Sequence, residues 1–440
     1  MLGAVFVLLP LVAAHTGCGG QHIGRRNTGG PAIRSLEHRQ VASSNEDPAA
    51  QCAPYNYQPA TDLNSQFPTI WGTADLVSGD TEAAALFAQI NATVNERLPG
   101  VVPNGDGSHS GSWGSSFSYP SSDPNCWWTS TTCTTPNSST GIAADLTTMP
   151  EPETWGFGFD DGPNCSHNAL YNFLQENDQK ATMFYIGSNV MDWPIEAMRG
   201  ATDGHHICVH TWSHQYMTSF SNQQAFAELY YTQRAIKDIV GVTPKCWRPP
   251  YGDVDNRIRL IASLLNMTTI VWDHDTNDWE EGTNGVTVDT INANYQTIID
   301  KAKNGTFSTY GPIVLNHEID NFTMQEMMDQ YANIKAAFKY IVPIATGYNI
   351  THPYMEANIT YPDFNEYIAG DRNVTTTSAS PSASTVAPKA AAASNTSHAS
   401  NSSSSSAAAA SVTANKSAAS AVLGVSLPAI LFGAAVACIL

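Results

Sequence analysis

The middle of the chain alternates between two hydrophobic periods. Short apolar runs at 155–159, 181–186, 206–210, 245–248, 268–273, 312–316 and 340–345 read as strands. Between them lie stretches with apolar residues three and four apart, such as NQQAFAELYYTQRAIKDIVG from Asn222 and NRIRLIASLLN from Asn256, which read as amphipathic helices. Seven such units in series predict an α/β fold with a parallel, barrel-like sheet wrapped by helices. An open doubly wound sheet shows the same alternation, and pattern alone does not separate the two. The stretch 51–150, rich in Ser, Gly, Pro and Trp, reads as loop apart from one helix near 80–97. It is expected to pack on the barrel as an N-terminal extension. A core at 151–347 is followed by a short C-terminal extension at 348–373.

Both ends leave this pattern. MLGAVFVLLPLVAA is apolar, too short to span a bilayer and closes on small residues, which reads as a secretory leader over residues 1–14. Residues 15–50 then form a propeptide or disordered arm with a dibasic pair, Arg25-Arg26. From 374 to 420 the chain is nearly all Ser, Thr and Ala, a composition with too little apolar surface to fold, and reads as a glycosylated stalk. The tail from 421 to 440 is apolar with no charge after it. It reads as a GPI signal rather than a membrane span, with Ser411 or Asn415 as the attachment residue.

The sequence holds 12 N-x-[ST] sites. The glycosylation candidates ahead of the stalk are Asn91, Asn137, Asn266, Asn304, Asn321, Asn349, Asn358 and Asn373, with Asn395, Asn401 and Asn415 in it. Asn164 lies next to candidate chemistry and is expected to be unmodified or turned outward. There are 8 cysteines. Cys438 leaves with the tail, and cleavage after Arg26 would remove Cys18. Cys52, Cys126, Cys133, Cys165, Cys208 and Cys246 then form three disulfides in an oxidising compartment, in a connectivity that sequence leaves open. A formal charge of −19 excludes nucleic acid as a partner, since phosphates would be repelled.

The chemistry-bearing residues fall at or just past the ends of the apolar runs. In a β/α barrel those ends converge on one face, where sites are built. HTWSH places His210 and His214 four apart, so that on a helical turn both imidazoles reach one metal ion. A carboxylate from a neighbouring strand completes a two-His, one-carboxylate set, which hydrolytic zinc sites and iron oxygenases share. In GFGFDDGP one of Asp160 and Asp161 could bind the cation while the other takes a proton, or one could cap the following helix. RPPYG offers Arg248 to orient a carboxylate and the Tyr251 N–H for an oxyanion, or merely a rigid turn. His317 in IVLNHE follows a buried strand. Asp278 in DTNDW could pair with it and keep it protonated. Trp127, Trp128 and Tyr119 are either sugar-stacking rings or core packing beside Cys126, and core packing is the expected use.

GFGFDDGP, HTWSH, WRPPYG, WDHDTNDW and IVLNHE occur in the order and spacing of five motifs, and residues 151–345 resemble the polysaccharide deacetylase family, carbohydrate esterases with a NodB-like domain. The resemblance implies a distorted (β/α)7 barrel. It implies Asp160 as general base held by Arg248, and Asp161, His210 and His214 as ligands of a divalent metal ion, zinc or cobalt. It also implies Tyr251 as oxyanion donor, His317 as general acid tuned by Asp278, and Trp279 and Leu315 as walls for the acetyl methyl. Gly158 departs from the family, which often has Thr there. With a GPI-anchored, sequon-rich chain, the expected reaction is deacetylation of chitin N-acetylglucosamine at an outer membrane or cell wall. An O-acetyl esterase acting on acetylated xylan, or a wall-binding mannoprotein with a degenerate barrel, are the alternatives.

Overall fold

Alternation along TWGFGFDDG shows how the sequence builds its central strand, β1 (Thr154–Gly162), in which every residue is buried. Trp155, Phe157 and Phe159 point to one side and join the large cluster between sheet and helices. Gly156 and Gly158 point to the other side, where neighbouring strands come close. A Cβ on Gly158 would lie 2.8 Å from the Thr182 carbonyl oxygen. The computed structural model describes residues 45–377 apart from 115–116. The leader, Cys18, Arg25-Arg26, Ser411, Asn415, the sites at Asn395 and Asn401, nearly all of the stalk, and the tail with Cys438 lie outside the described residues.

The other strands that build the barrel are β2 (Thr182–Tyr185), β3 (His206–Val209), β4 (Cys246–Trp247), β5 (Thr268–Thr269), β6 (His274–Asp275), β7 (Val314–Leu315) and β8 (Tyr340–Pro343). Six of them form one parallel sheet in the order β8-β1-β2-β3-β4-β5. The chain from β5 runs on into β6, which pairs in parallel with β7. Bridges from Ile313 to Gly156 and from His317 to Asp160 carry the pairing back to β1. This return makes the α/β sheet barrel-like rather than open at β5. Inside it sits a second apolar cluster with Met149, Phe184, Ile270, Ile313 and Val342.

Helices α1 (Thr81–Arg97), α2 (Asn168–Glu176), α3 (Gly187–Asp192), α4 (Pro194–Thr202), α5 (Asn222–Val240), α6 (Asn256–Leu264), α7 (Val288–Lys303) and α8 (Asn321–Ala337) account for the helical periods. α5 starts at a capping box between Ser221 and Gln224 and stops at Gly241, whose φ of 96° suits glycine alone. It buries Phe226, Leu229, Ala235 and Ile236 against the sheet, each worth roughly 1–3 kcal/mol according to size.

Cys52 pairs with Cys165, Cys126 with Cys133, and Cys208 with Cys246. The first ties the extension to the loop after β1, and the last joins adjacent strands inside the barrel. Folded structure is present within the arm expected to end at residue 50. The Asn168 N–H donates to Gln51 Oε1 and the Asn172 side chain to Glu46, so residues 45–51 pack on α2. At the other end Thr375–Thr376 pairs with Ile359–Thr360, so the folded chain runs past the expected start of the stalk at 374. Asn137, Asn266, Asn304, Asn321, Asn349 and Asn373 are exposed, and Asn91 and Asn358 half-buried.

Candidate active site

Adjacent residues of a strand point to opposite faces, so two neighbouring aspartates should not share a site. Here they do, because β1 carries one extra residue: Phe159 pairs with Met183 and Gly162 with Tyr185, three steps facing two. Asp160 points inward with Gly156 and Gly158. Asp161, at the bulge, adopts a φ of 72° that turns its carboxylate to the same side. The helix-cap alternative is removed, since both aspartates lie within β1 and the N-cap of α2 is His167.

His210 is the first residue past β3. The pair HTWSH is not on a helical turn, as the spacing suggested. It forms a loop with Thr211 and His214 at φ 65° and 51°, and these two reversals bring the imidazoles to 4.9 Å between ring centres. The Nε2 atoms of His210 and His214 lie 3.3 and 3.0 Å from Asp161 Oδ1. The loop is held from behind by Glu228 of α5, fully buried, which accepts from the N–H groups of Trp212 and Ser213, the Ser213 hydroxyl and the N–H of Ala74.

Three groups among the described residues gather enough ligand atoms for a metal ion, but two of them use disulfide cysteines and have no thiolate to offer. The third is Asp161, His210 and His214, whose donor atoms lie within 4.8 Å of one another. Its hydrogen bonding fits a cation. His210 Nδ1 is 2.8 Å from the Arg248 carbonyl, which can only accept, so Nδ1 carries the hydrogen and Nε2 turns a lone pair to Asp161. Asp161 Oδ1 is buried without a hydrogen bond. Burial works against its charge, yet the surrounding imidazoles of His214, His210 and His317 together outweigh burial and hold the carboxyl well below the usual range. The His210 lone pair and the Asp161 oxygen, facing each other across 3.3 Å, suit a cation between them.

Two proton-transfer groups flank this set. Arg248, just past β4 and fully buried, donates from Nη1 to Asp160 Oδ1 at 2.7 Å. Asp160 Oδ2 faces His210 Nε2 at 3.7 Å. On the other side, Asp278 Oδ1 lies 2.6 Å from His317 Nδ1, and Oδ2 accepts the His317 N–H. Burial would lower the His317 pKa, but Asp278, with Asp161 and Asp160 behind it, lifts it to about 10.

Around these groups Tyr251 is exposed in a tight turn at φ 56°, its ring stacked on Tyr216 at 4.2 Å and tilted against His214 at 4.8 Å. Trp279 is exposed beside Asp278, and Leu315 is buried in β7. Trp127 is buried, its Nε1 donating to Asp253, so it is core, while half-buried Trp128 packs on Trp272 and Tyr119 donates to Asp123. Asp273 turns away, accepting from the Ile313 N–H. The Asn164 amide donates to the Ile319 carbonyl.

Sequence reasoning missed Glu228, Asn189 and Glu318. The signal for Glu228 was a carboxylate on the buried stripe of α5 with Thr232, Ala235 and Ile239. Asn189 donates to the Asp161 carbonyl at 2.8 Å. Glu318 sits behind Gly162, where an added Cβ would meet its Oε1 at 1.5 Å, and burial pushes its carboxyl well above the usual range.

The family described as polysaccharide deacetylase matches residues 148–270. Chitin deacetylase 2 of Cryptococcus neoformans var. grubii is 59% identical over 367 residues, 83% of this chain and 80% of that protein. The chitin deacetylase of Amylomyces rouxii is 46% identical over 328 residues, 74% of this chain and 76% of that one. A solved structure, the chitin deacetylase of Colletotrichum lindemuthianum, is 22% identical with a TM-score of 0.41, covering 47% of this chain and 92% of that one. Since identity of this level runs along most of both chains, the protein belongs to the polysaccharide deacetylase family.

Proposed function

We propose that this chain hydrolyses the N-acetyl groups of chitin, leaving glucosamine residues and acetate. The observation that carries the reading is the pair of oppositely prepared groups beside one donor set: Asp160 held by Arg248, and His317 held by Asp278. A divalent ion held by Asp161, His210 and His214 would supply Lewis acidity toward a water and the acetyl carbonyl, and zinc suits this donor set, with cobalt as a substitute.

The protein's own groups divide the remaining work. Arg248 fixes one oxygen of Asp160 and leaves the other toward the site, where it takes a proton from the attacking water. Charge then develops on the carbonyl oxygen, and the N–H of Tyr251 is the donor for it. His317, kept protonated by Asp278, gives its proton to the amide nitrogen as the C–N bond breaks. One water is consumed, one proton goes to Asp160 and one leaves His317, so acetate and a free amine result. Leu315 and Trp279 wall the acetyl methyl.

Three disulfides among the described residues suit an oxidising compartment. With the leader, the Ser/Thr-rich stalk and the apolar tail, they support a secreted protein tethered outside the cell by a GPI anchor, acting on wall polysaccharide. The test is acetate release from N-acetylglucosamine oligomers, with chelator and after metal is restored. No acetate from any such oligomer with metal supplied overturns the reading, and release from acetylated xylan alone points to the esterase.

A further inference from the structure

Among the described residues three large aromatic side chains are exposed: Trp71 at 45%, Tyr251 at 43% and Trp279 at 48%. Tyr251 follows the carboxyl end of β4 and Trp279 that of β6. Trp71 belongs to the N-terminal extension, yet it is fastened to the same end of the barrel. Its N–H donates to Ser188 Oγ at 2.8 Å and its Nε1 to Asp192 Oδ2 at 3.1 Å, both on α3 past the carboxyl end of β2. Next to Ser188, Asn189 holds the Asp161 carbonyl. Thr73 donates to Gln215, the neighbour of His214, and the Thr69 carbonyl accepts from Trp212 within HTWSH. The loop 69–74 is therefore strapped to the segment that carries the two histidines and to α3, whose Asn189 in turn holds the backbone of Asp161.

Its conformation is costly for what it displays. Trp71 has a φ of 61° in a turn closed by the Gly72 N–H on Thr69, a backbone that glycine adopts freely and a bulky residue does not. Such strain persists where the surroundings over-determine it, and it gathers at functional sites. Here the strain presents a large, tethered ring to solvent. In ring order around the barrel, Trp71 at β2 and Trp279 at β6 stand on different sides of the donor set on β1 and β3.

We infer that Trp71 is a distal subsite residue, stacking on a sugar ring of the substrate chain beyond the residue being deacetylated, on the side away from Trp279. The inference rests on the chitin reading above and extends it: the N-terminal extension sets the preference for chain length. The occupant is the apolar face of an N-acetylglucosamine ring, for which a rigid indole is the suited partner.

The test compares Trp71→Ala, Trp71→Phe and Trp71→Gly with the metal-loaded wild type on N-acetylglucosamine dimer and hexamer. Hexamer binding to the chelated full chain is measured beside it. Trp71→Ala is expected to lower the hexamer-to-dimer ratio of kcat/KM about tenfold and to weaken hexamer binding similarly. Trp71→Phe should keep most of both. Trp71→Gly, which suits the left-handed backbone, should lose the ratio without losing thermal stability. An unchanged ratio with unchanged hexamer binding overturns the proposal, as does equal loss on both lengths together with a lower Tm. Absence of acetate from wild type on every chitin oligomer is a different outcome: it sinks the chitin reading, and hexamer binding then decides the fate of Trp71 by itself.

Discussion

The backbones of Asp160 and His317 pair directly. The Asp160 N–H donates to the Asn316 carbonyl at 2.9 Å, and the Asp160 carbonyl accepts the Glu318 N–H at 2.9 Å. The proposed base and acid thus ride on one ladder of a parallel sheet. Their separation follows from strand spacing, roughly 5 Å between neighbours, rather than from loop positions. What differs between them is the partner each side chain has been given, a cation for Asp160 and a carboxylate for His317.

The bulge at Asp161 gives the two aspartates different surroundings, and single substitutions should separate the roles proposed for them. Asp160→Asn is expected to keep wild-type metal content while kcat falls by roughly 10²–10⁴. Asp161→Asn is expected to lose metal affinity first, with activity returning in part at high metal. Metal analysis of dialysed protein beside acetate release reads both. If both variants hold full metal at full rate, the division is wrong.

The His317–Asp278 pair is expected to set the alkaline limit. In the proposed reaction the acid form is the active one, and Asp278 is the strongest of the attractions that lift His317 to about 10 against the pull of burial. Asp278→Asn leaves burial to act, so the pH above which kcat/KM falls should drop by roughly one to three pH units. The sign for stability is the same: charged His317 favours the folded state fully below the ordinary histidine value near 6.5, and this is lost as pH rises towards about 10. A bound dication lowers the limit in both proteins and leaves their order unchanged. An Asp278→Asn profile with the wild-type alkaline limb contradicts the pairing.

Glu228 touches no proposed reacting atom and is expected to act through the loop it holds. Glu228→Gln turns an amide NH2 toward N–H donors in a fully buried place. The cost should be about 1–3 kcal/mol of stability by denaturant unfolding. Metal affinity should fall about 10- to 100-fold, measured by competition with a chromophoric chelator. Lower stability with unchanged affinity in the folded protein would make Glu228 a packing residue only.

Much of this was readable in the sequence because it follows from period. The alternation in WGFGF gives β1 its two faces, and the strand ends where chemistry sits are ends of apolar runs. What could not be read depends on local backbone departures. Nothing in DDG announces an extra residue in β1, and the spacing of His210 and His214 suggested a helix where two positive φ values make a loop. The pairing of Cys52 with Cys165 and the strapping of loop 69–74 to the site join distant parts of the chain through side chains of no distinctive pattern. Glu228 was legible in principle, as a charge on a buried stripe.

Gly158 is where this chain departs from the Thr common in the family, and the close approach of β2 accounts for it. A Cβ there would sit 2.8 Å from the Thr182 carbonyl oxygen, a backbone atom paired into the sheet that has little freedom to retreat. Gly158→Thr should therefore push β2 away from β1 two residues before Asp160, with a loss of about 1–3 kcal/mol. It should also lower kcat, since Asp160 would shift against Arg248 and the donor set. Gly158→Ala should cost nearly as much, because the first carbon makes the clash. Thermal unfolding with acetate release on the two variants checks this. If Gly158→Thr is as stable and active as wild type, β2 can give way, and the glycine is not required by the close approach of the strands.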